Sequence, residues 1–155
     1  MTVKTIPDGY QSVTPYLVVK GAVQAIDFYK RALGASELFR MEDPKGKIGH
    51  AELQIGNSRI MLADEHPELG HYGPQQPGGA AVSLLLYVED VDKVFKQALG
   101  AGAKERMAVK NQFYGDRSGT LEDPYGHVWT LATHIEDVAP DEMDRRIKQL
   151  HAGAS

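Results

Sequence analysis

The chain contains no cysteine. That excludes disulfides, thiolate nucleophiles and every zinc site that needs a Cys ligand, and it suits a reducing compartment, so a cytoplasmic protein is expected. Also missing is any apolar run near the roughly 18 to 20 residues of a membrane span, or a basic-then-apolar leader over Met1 to Asp8. A basic excess is lacking too. Seventeen Lys and Arg against 21 Asp and Glu leave a net charge of −4, which offers no footprint for nucleic acid or an anionic membrane surface. What is present is ordinary globular usage, 42% hydrophobic and 25% charged over 155 residues, enough for one folded domain with its own core.

The run TPYLVV over Thr14 to Val19 reads as a strand, with Pro15 near its start. Ala22 to Leu33 places Val23, Ile26, Phe28 or Tyr29, and Leu33 on one helical face, and Gly34 stops the helix. Ser36 to Met41 reads as a second strand, and Asp43-Pro44-Lys45-Gly46 as a turn. The next segment alternates strictly: His50, Glu52 and Gln54 share one face while Ala51, Leu53 and Ile55 share the other. After the turn Gly56-Asn57, Arg59 to Ala63 keeps Ile60 and Leu62 on the apolar face. Residues 64–79 have no periodicity and read as a long connecting loop.

The order of elements then starts again. Val82 to Val88 is a strand, Val91 to Leu99 a helix stopped by Gly100 to Gly102, and strands follow near Glu105 to Ala108, Asp116 to Glu122 and His127 to Thr133, with Asp123-Pro124-Tyr125-Gly126 as a turn. The repeat shows in the letters: LVVKGAVQAIDFYKRALGA from Leu17 parallels LYVEDVDKVFKQALGAGA from Leu86, the second helix being about one turn shorter. A last helix, opened by Pro140 with Met143, Ile147 and Leu150 in one stripe, covers about 140–150. The expectation is an α+β chain, one domain over 1–155, built from βαβββ half-repeats at about 12–66 and 80–134 that form a concave mixed sheet, plus a C-terminal helix.

The two βαβββ units, AIDFYKRALGA (Ala25 to Ala35) and LEDPYGHVWTL (Leu121 to Leu131), together resemble the vicinal-oxygen-chelate superfamily of glyoxalase I, fosfomycin-resistance transferases, extradiol dioxygenases and bleomycin-resistance proteins. GHAELQIGNSRIMLADE from Gly49 and FYGDRSGTLEDPYGHVW from Phe113 are most similar to its PhnB-like branch. In the metal-using members four inward positions carry His, Gln or Glu; the resemblance lays them on Thr14, Met61, Ser83 and Thr130. Thr, Met, Ser and Thr do not supply the carboxylates and imidazoles that such an ion requires, so no metal and no other cofactor is expected. The resemblance also implies a homodimer with composite sites.

Residues in phase with Thr14 point into the concavity. That set holds Tyr16, Val18, His50, Glu52, Gln54, Arg59, Met61, Leu85, Tyr87, Asp116, Ser118, Thr120, Glu122 and Thr130, a mixture of polar, aromatic and apolar groups typical of ligand pockets. With Tyr114 at the mouth of its strand, the residues expected to meet a small-molecule ligand are Tyr16, His50, Glu52, Arg59, Tyr87, Tyr114, Asp116, Ser118, Thr120, Glu122 and Thr130. His50 and Glu52 share a face at i, i+2 and either satisfy each other, bind a ligand or act as acid and base; no catalytic residue is assigned. Arg117 either clamps an anion or is neutralised by a nearby carboxylate, Trp129 belongs to the core, and His127 is a turn residue. His66, Glu68 and His71 sit in a segment with no ligand geometry of its own. Binding or sequestration of a cationic or hydrogen-bond-rich molecule is expected; a lyase or isomerase using His50 with Glu52, and an interaction module with a vestigial pocket, are the alternatives.

Overall fold

A computed structural model describes residues 8–11, 14–69, 71–75 and 82–153; the half-repeat starts at 12 and 80 and part of the long loop lie outside them. The first half runs β1 (Tyr16–Val19), α1 (Ala22–Leu33), β2 (Ser36–Glu42), β3 (Ile48–Ile55) and β4 (Ser58–Asp64). The second runs β5 (Leu84–Tyr87), α2 (Val91–Gly100), β6 (Lys104–Asn111), β7 (Asp116–Glu122) and β8 (Val128–His134), and α3 spans Pro140–Ala152. Each half forms its own four-stranded mixed sheet, ordered β1-β4-β3-β2 and β5-β8-β7-β6. In each, the crossover through the helix makes the first strand parallel to the last, as a βαβ connection requires.

The alternation of β3 decides which face is covered. Ala51, Leu53 and Ile55 are buried, as are Ile60 and Leu62 of β4, and α1 lays Ala25, Ile26, Phe28, Tyr29 and Ala32 over them. Leu121, Trp129 and Leu131 do the same under Phe95 and Ala98 of α2. Each Leu, Ile or Phe side chain among them contributes roughly 1.5–3 kcal/mol when fully buried. The two halves then meet through their helix-covered sides. Helices α1 and α2 pack directly, Gln97 Nε2 donates to the carbonyls of Arg31 and Ala32 at 2.9 and 3.0 Å, and Tyr29 Oη donates to Asp123 Oδ2 at 2.5 Å. Among the described residues, neither α1 nor α2 covers the other face of either sheet.

Three details depart from the periodic reading. Helix α2 runs through Gly100 and is capped by Ala101. Asp64, expected in the loop, is the last residue of β4, because its carboxylate accepts three backbone N–H groups there. The loop after it is ordered in part: Pro67–Leu69 forms a 3-10 turn and His66 and His71 pair as a β-bridge.

The tail helix is tied to the second sheet mainly through polar contacts. Arg146 donates to Glu136, Glu142 and the Phe113 carbonyl, and the N–H groups of Ile135 and Glu136 both donate to the Gly115 carbonyl. Gly115 has a φ of 102°, and an added Cβ would lie 2.2 Å from the Glu136 oxygen, so only glycine fits.

Candidate functional site

The helix-free face of the first sheet gathers Tyr16, His50, Glu52, Arg59 and Met61. Cross-strand pairing sets Glu52 opposite Met61 and Phe39, His50 opposite Met41, and Tyr16 opposite Met61; directly opposed residues share a face. Phe39 and Met41 therefore belong to the site, although β2 was not assigned a face; the antiparallel turn at Asp43 carried that signal. Tyr16, Phe39 and Met41 are 48, 48 and 54% exposed, and the Tyr16 and Phe39 rings lie 5.6 and 6.0 Å from the His50 ring.

A polar row runs through these rings. Tyr16 Oη and His50 Nδ1 are hydrogen-bonded at 2.8 Å, and His50 Nε2 faces Glu52 Oε1 at 3.6 Å. Burial, then the charge of Glu52, holds the Tyr16 phenol above its ordinary value. In the tautomer whose Nδ1 accepts from the Tyr16 phenol, Nε2 carries the proton toward Glu52. Tyr10 completes the row from the segment before β1. Its phenol, also raised by burial and then by Glu52, sits beside Glu52 while the Arg59 guanidinium lies 4.7 Å over its ring. Arg59 faces as expected but is already engaged, donating to Gln54 Oε1 at 3.1 Å and to the Asp8 carbonyl at 3.0 Å.

Next to this row is a cavity of about 450 Å³ lined by Tyr16, Val18, Gly49, Ala63, His66 and His71. The His66–His71 bridge, with His66 Nδ1 2.9 Å from the Asp64 carbonyl, gives this part of the loop a fixed shape that the sequence did not announce.

The remaining expected residues lie on the second sheet. Asp116 is buried and bound by Tyr87 Oη at 3.0 Å and His134 Nδ1 at 2.8 Å. Thr120 and Thr130 hydroxyls are 3.1 Å apart and bond each other, Ser118 is buried, and Glu122 is bridged by Arg106. Tyr114 is exposed on the turn before β7, edge-on to Phe113. Arg117 is held by Asp92 in a two-pronged ion pair, the neutralised alternative. Among the described residues, no hydrogen bond, ion pair or ring contact joins this group to the His50 row, because the halves meet through the opposite faces of their sheets.

His134 is the residue of this sheet that the sequence passed over, one position past the expected strand end. Its Nε2 also bonds Asp137 Oδ1 at 2.8 Å. Hydrogen bonds to Asp116 and then Asp137 hold the imidazole above its ordinary value near 6.5. The folded state thus binds this proton more tightly than the unfolded chain. The stabilisation is complete below about pH 6.5 and is lost as the pH rises through the higher folded value. A histidine NMR titration is expected to place its midpoint above that of a free imidazole, and Asp137→Asn to lower it.

The metal positions of the resemblance are testable on the register. Tyr16 pairs with Met61 and Leu85 with Thr130, which puts Thr14 and Ser83 two residues upstream in phase. The donors there are two hydroxyls, one just before the first strand of each half, a thioether, and a threonine hydroxyl already bonded to Thr120. This set does not fit a divalent cation that requires carboxylate and imidazole ligands.

Paired βαβββ sheets, each with a helix-covered apolar face and a second face that carries polar and aromatic side chains, define the α+β fold class of the chain. The chain belongs to the Glyoxalase/Bleomycin resistance protein/Dioxygenase superfamily, whose family model matches residues 11–131. The uncharacterised Mycobacterium bovis protein Mb0911c is 42% identical over 135 residues, 85% of this chain and 89% of its own. Among solved structures, protein PA1353 from Pseudomonas aeruginosa aligns with a TM-score of 0.66 at 25% identity over 81% of this chain and 99% of its own. The PhnB protein from Bacillus cereus aligns at 0.63 and 21% identity over 79% of this chain and 99% of its own, a likeness of fold.

Proposed function

We propose that this protein binds a small organic molecule on the helix-free face of its first sheet, without a metal, and does so as a homodimer. The observation that carries the reading is the Tyr16–His50–Glu52 row, set among exposed Tyr16, Phe39 and Met41 beside a cavity of about 450 Å³. That volume lies in the range of small-ligand pockets, and such sites combine apolar and aromatic walls with a few placed polar groups. The aromatic rings and the Glu52 carboxylate favour a ligand with a cationic or hydrogen-bond-donating group. The dimer is supported by the large apolar side chains exposed on both helix-free faces, Phe39 and Met41 on one, Leu85, Tyr87 and Met107 on the other, since neighbouring exposed apolar side chains favour an interface.

A thermal-shift screen with amines, thiols, antibiotics and aromatic metabolites tests it. A ligand at about 100 times its Kd stabilises by about 2.7 kcal/mol, a rise of roughly 6–10 °C for a chain of this size. His50→Ala and Glu52→Ala each weaken the same ligand about tenfold, and sedimentation of the wild type gives twice the monomer mass. No shift across the panel, or a hit that ignores both substitutions, counts against the site; a monomer counts against the dimer.

One observation favours a second reading, a lyase or isomerase. A protonated Tyr16 bonded to His50, itself facing Glu52, is a relay able to take a proton from a bound substrate. Turnover that His50→Ala abolishes would establish it; binding without turnover leaves the first reading.

A further inference from the structure

Residues 8–11 precede β1 and lie against the helix-free face of the first sheet at its Glu52 end. Arg59 of β4 is their latch. Its Nη1 donates to the Asp8 carbonyl at 3.0 Å, its guanidinium carbon lies 4.7 Å over the Tyr10 ring, and an added Cβ on Gly9 would fall 2.3 Å from Nη2. The backbone thus bends around the guanidinium and carries the Tyr10 hydroxyl to Glu52, whose charge, after burial, holds the phenol above its ordinary value.

Two features make this contact easy to break. Tyr10 Oη is buried and makes no hydrogen bond, although a carboxylate stands beside it. Buried polar groups are nearly always satisfied, so the closed segment forgoes a bond that water supplies on opening. The segment is also not packed flush: a cavity of about 180 Å³ is lined jointly by Tyr10 and Gln11 and by Ile55, Ile60, Leu84 and Trp129, and unfilled space forfeits dispersion contacts. We infer that residues 8–11 form a self-covering strap, in which Tyr10 occupies the place at Glu52 that a ligand's donor group takes, and that the strap lifts when ligand binds. The inference rests on the reading of the first sheet as a ligand site and adds how that site is regulated. Shut, the strap sets an aromatic ring and an unbonded hydroxyl beside the carboxylate. An aromatic ammonium ion brings the same kind of ring and replaces the hydroxyl by a charged donor, whose bond to Glu52 is stronger than a neutral one. Apparent affinity is lowered in proportion to the time the strap is shut.

Solution NMR of the full chain, with benzylamine as the probe, tests this. The ring current of Tyr10 moves the Arg59 side-chain signals upfield when the strap is shut. In the free protein these signals are expected upfield of their place in Tyr10→Ala, and further upfield in Tyr10→Phe, which keeps the ring and removes the unbonded hydroxyl. During titration they return to the Tyr10→Ala position with the same midpoint as the shifts around His50. Tyr10→Ala binds benzylamine about fivefold more tightly than the wild type, and Tyr10→Phe about twofold less tightly. Arg59 signals that coincide in the free wild type and Tyr10→Ala, Arg59 signals that stay upfield once benzylamine is bound at His50, or binding to Tyr10→Ala no tighter than to the wild type overturns the strap and leaves the site standing. Binding to neither protein overturns both.

Discussion

Replacing Asp123 by Ala lowers the unfolding free energy by about 3–5 kcal/mol, read from urea denaturation. The carboxylate is 3% exposed and is enclosed by donors. Oδ2 accepts from Tyr29 Oη at 2.5 Å and from Trp129 Nε1 at 3.0 Å, and Oδ1 accepts from the backbone N–H of Tyr125 and of His127, both at 2.9 Å. Ala leaves four donors without an acceptor, two of them in the core. Tyr29→Phe removes one charge-assisted bond and costs about 1.5–3 kcal/mol. Because Tyr29 lies on α1 and Asp123 on the turn of the other half, the pair also fixes how the halves dock. The double variant is therefore expected to be little worse than Asp123→Ala alone, a coupling typical of residues in one network. A loss below about 1 kcal/mol for Asp123→Ala would contradict this account of the interface.

That network also shows what the sequence made legible. Period-two alternation in β3 announced the common face of His50, Glu52 and Gln54, since a strand has only two sides and the apolar set declares one of them. Helical spacing marked α1 to the residue, and the same reasoning placed Trp129 in the core. Tyr29 was readable as a core-facing residue, but not its hydroxyl's bond to a carboxylate 94 positions away, because that contact exists only after the halves dock. The His134–Asp116 pair and the placement of Tyr10 over Arg59 are likewise products of tertiary packing. Parity assigned fourteen residues to one concavity, ten of them among the eleven ligand candidates; the fold divides them between two sheets whose open faces point away from the shared core, and periodicity carries no information on how the halves are joined.

Asp64→Ala is expected to cost about 3 kcal/mol, while the equivalent change in the second half, Thr133→Val, costs about 1. The two positions correspond, each three residues after the members of the pairs Tyr16–Met61 and Leu85–Thr130. Asp64 Oδ1 accepts from the N–H of Gly21 at 3.0 Å and Ala22 at 2.8 Å, and Oδ2 from Ile48 at 2.7 Å. Helix α1 begins at Gly21, which has a φ of 92° and no side chain to cap with, so Asp64 meets its orphan N–H groups and its positive dipole end from across the fold. In the second half that task is divided: Asp90 accepts from Lys93 N–H and Thr133 Oγ1 from Val91 N–H. Loss of either leaves the other. Amide exchange in Asp64→Ala should accelerate at Ala22 and Ile48 together, because one carboxylate holds both, whereas Thr133→Val should affect Val91 alone. The Asp64 carbonyl also holds His66, so loosening this corner is expected to widen the cavity beside His50 and weaken any ligand bound there, linking the helix cap of the first half to its open face.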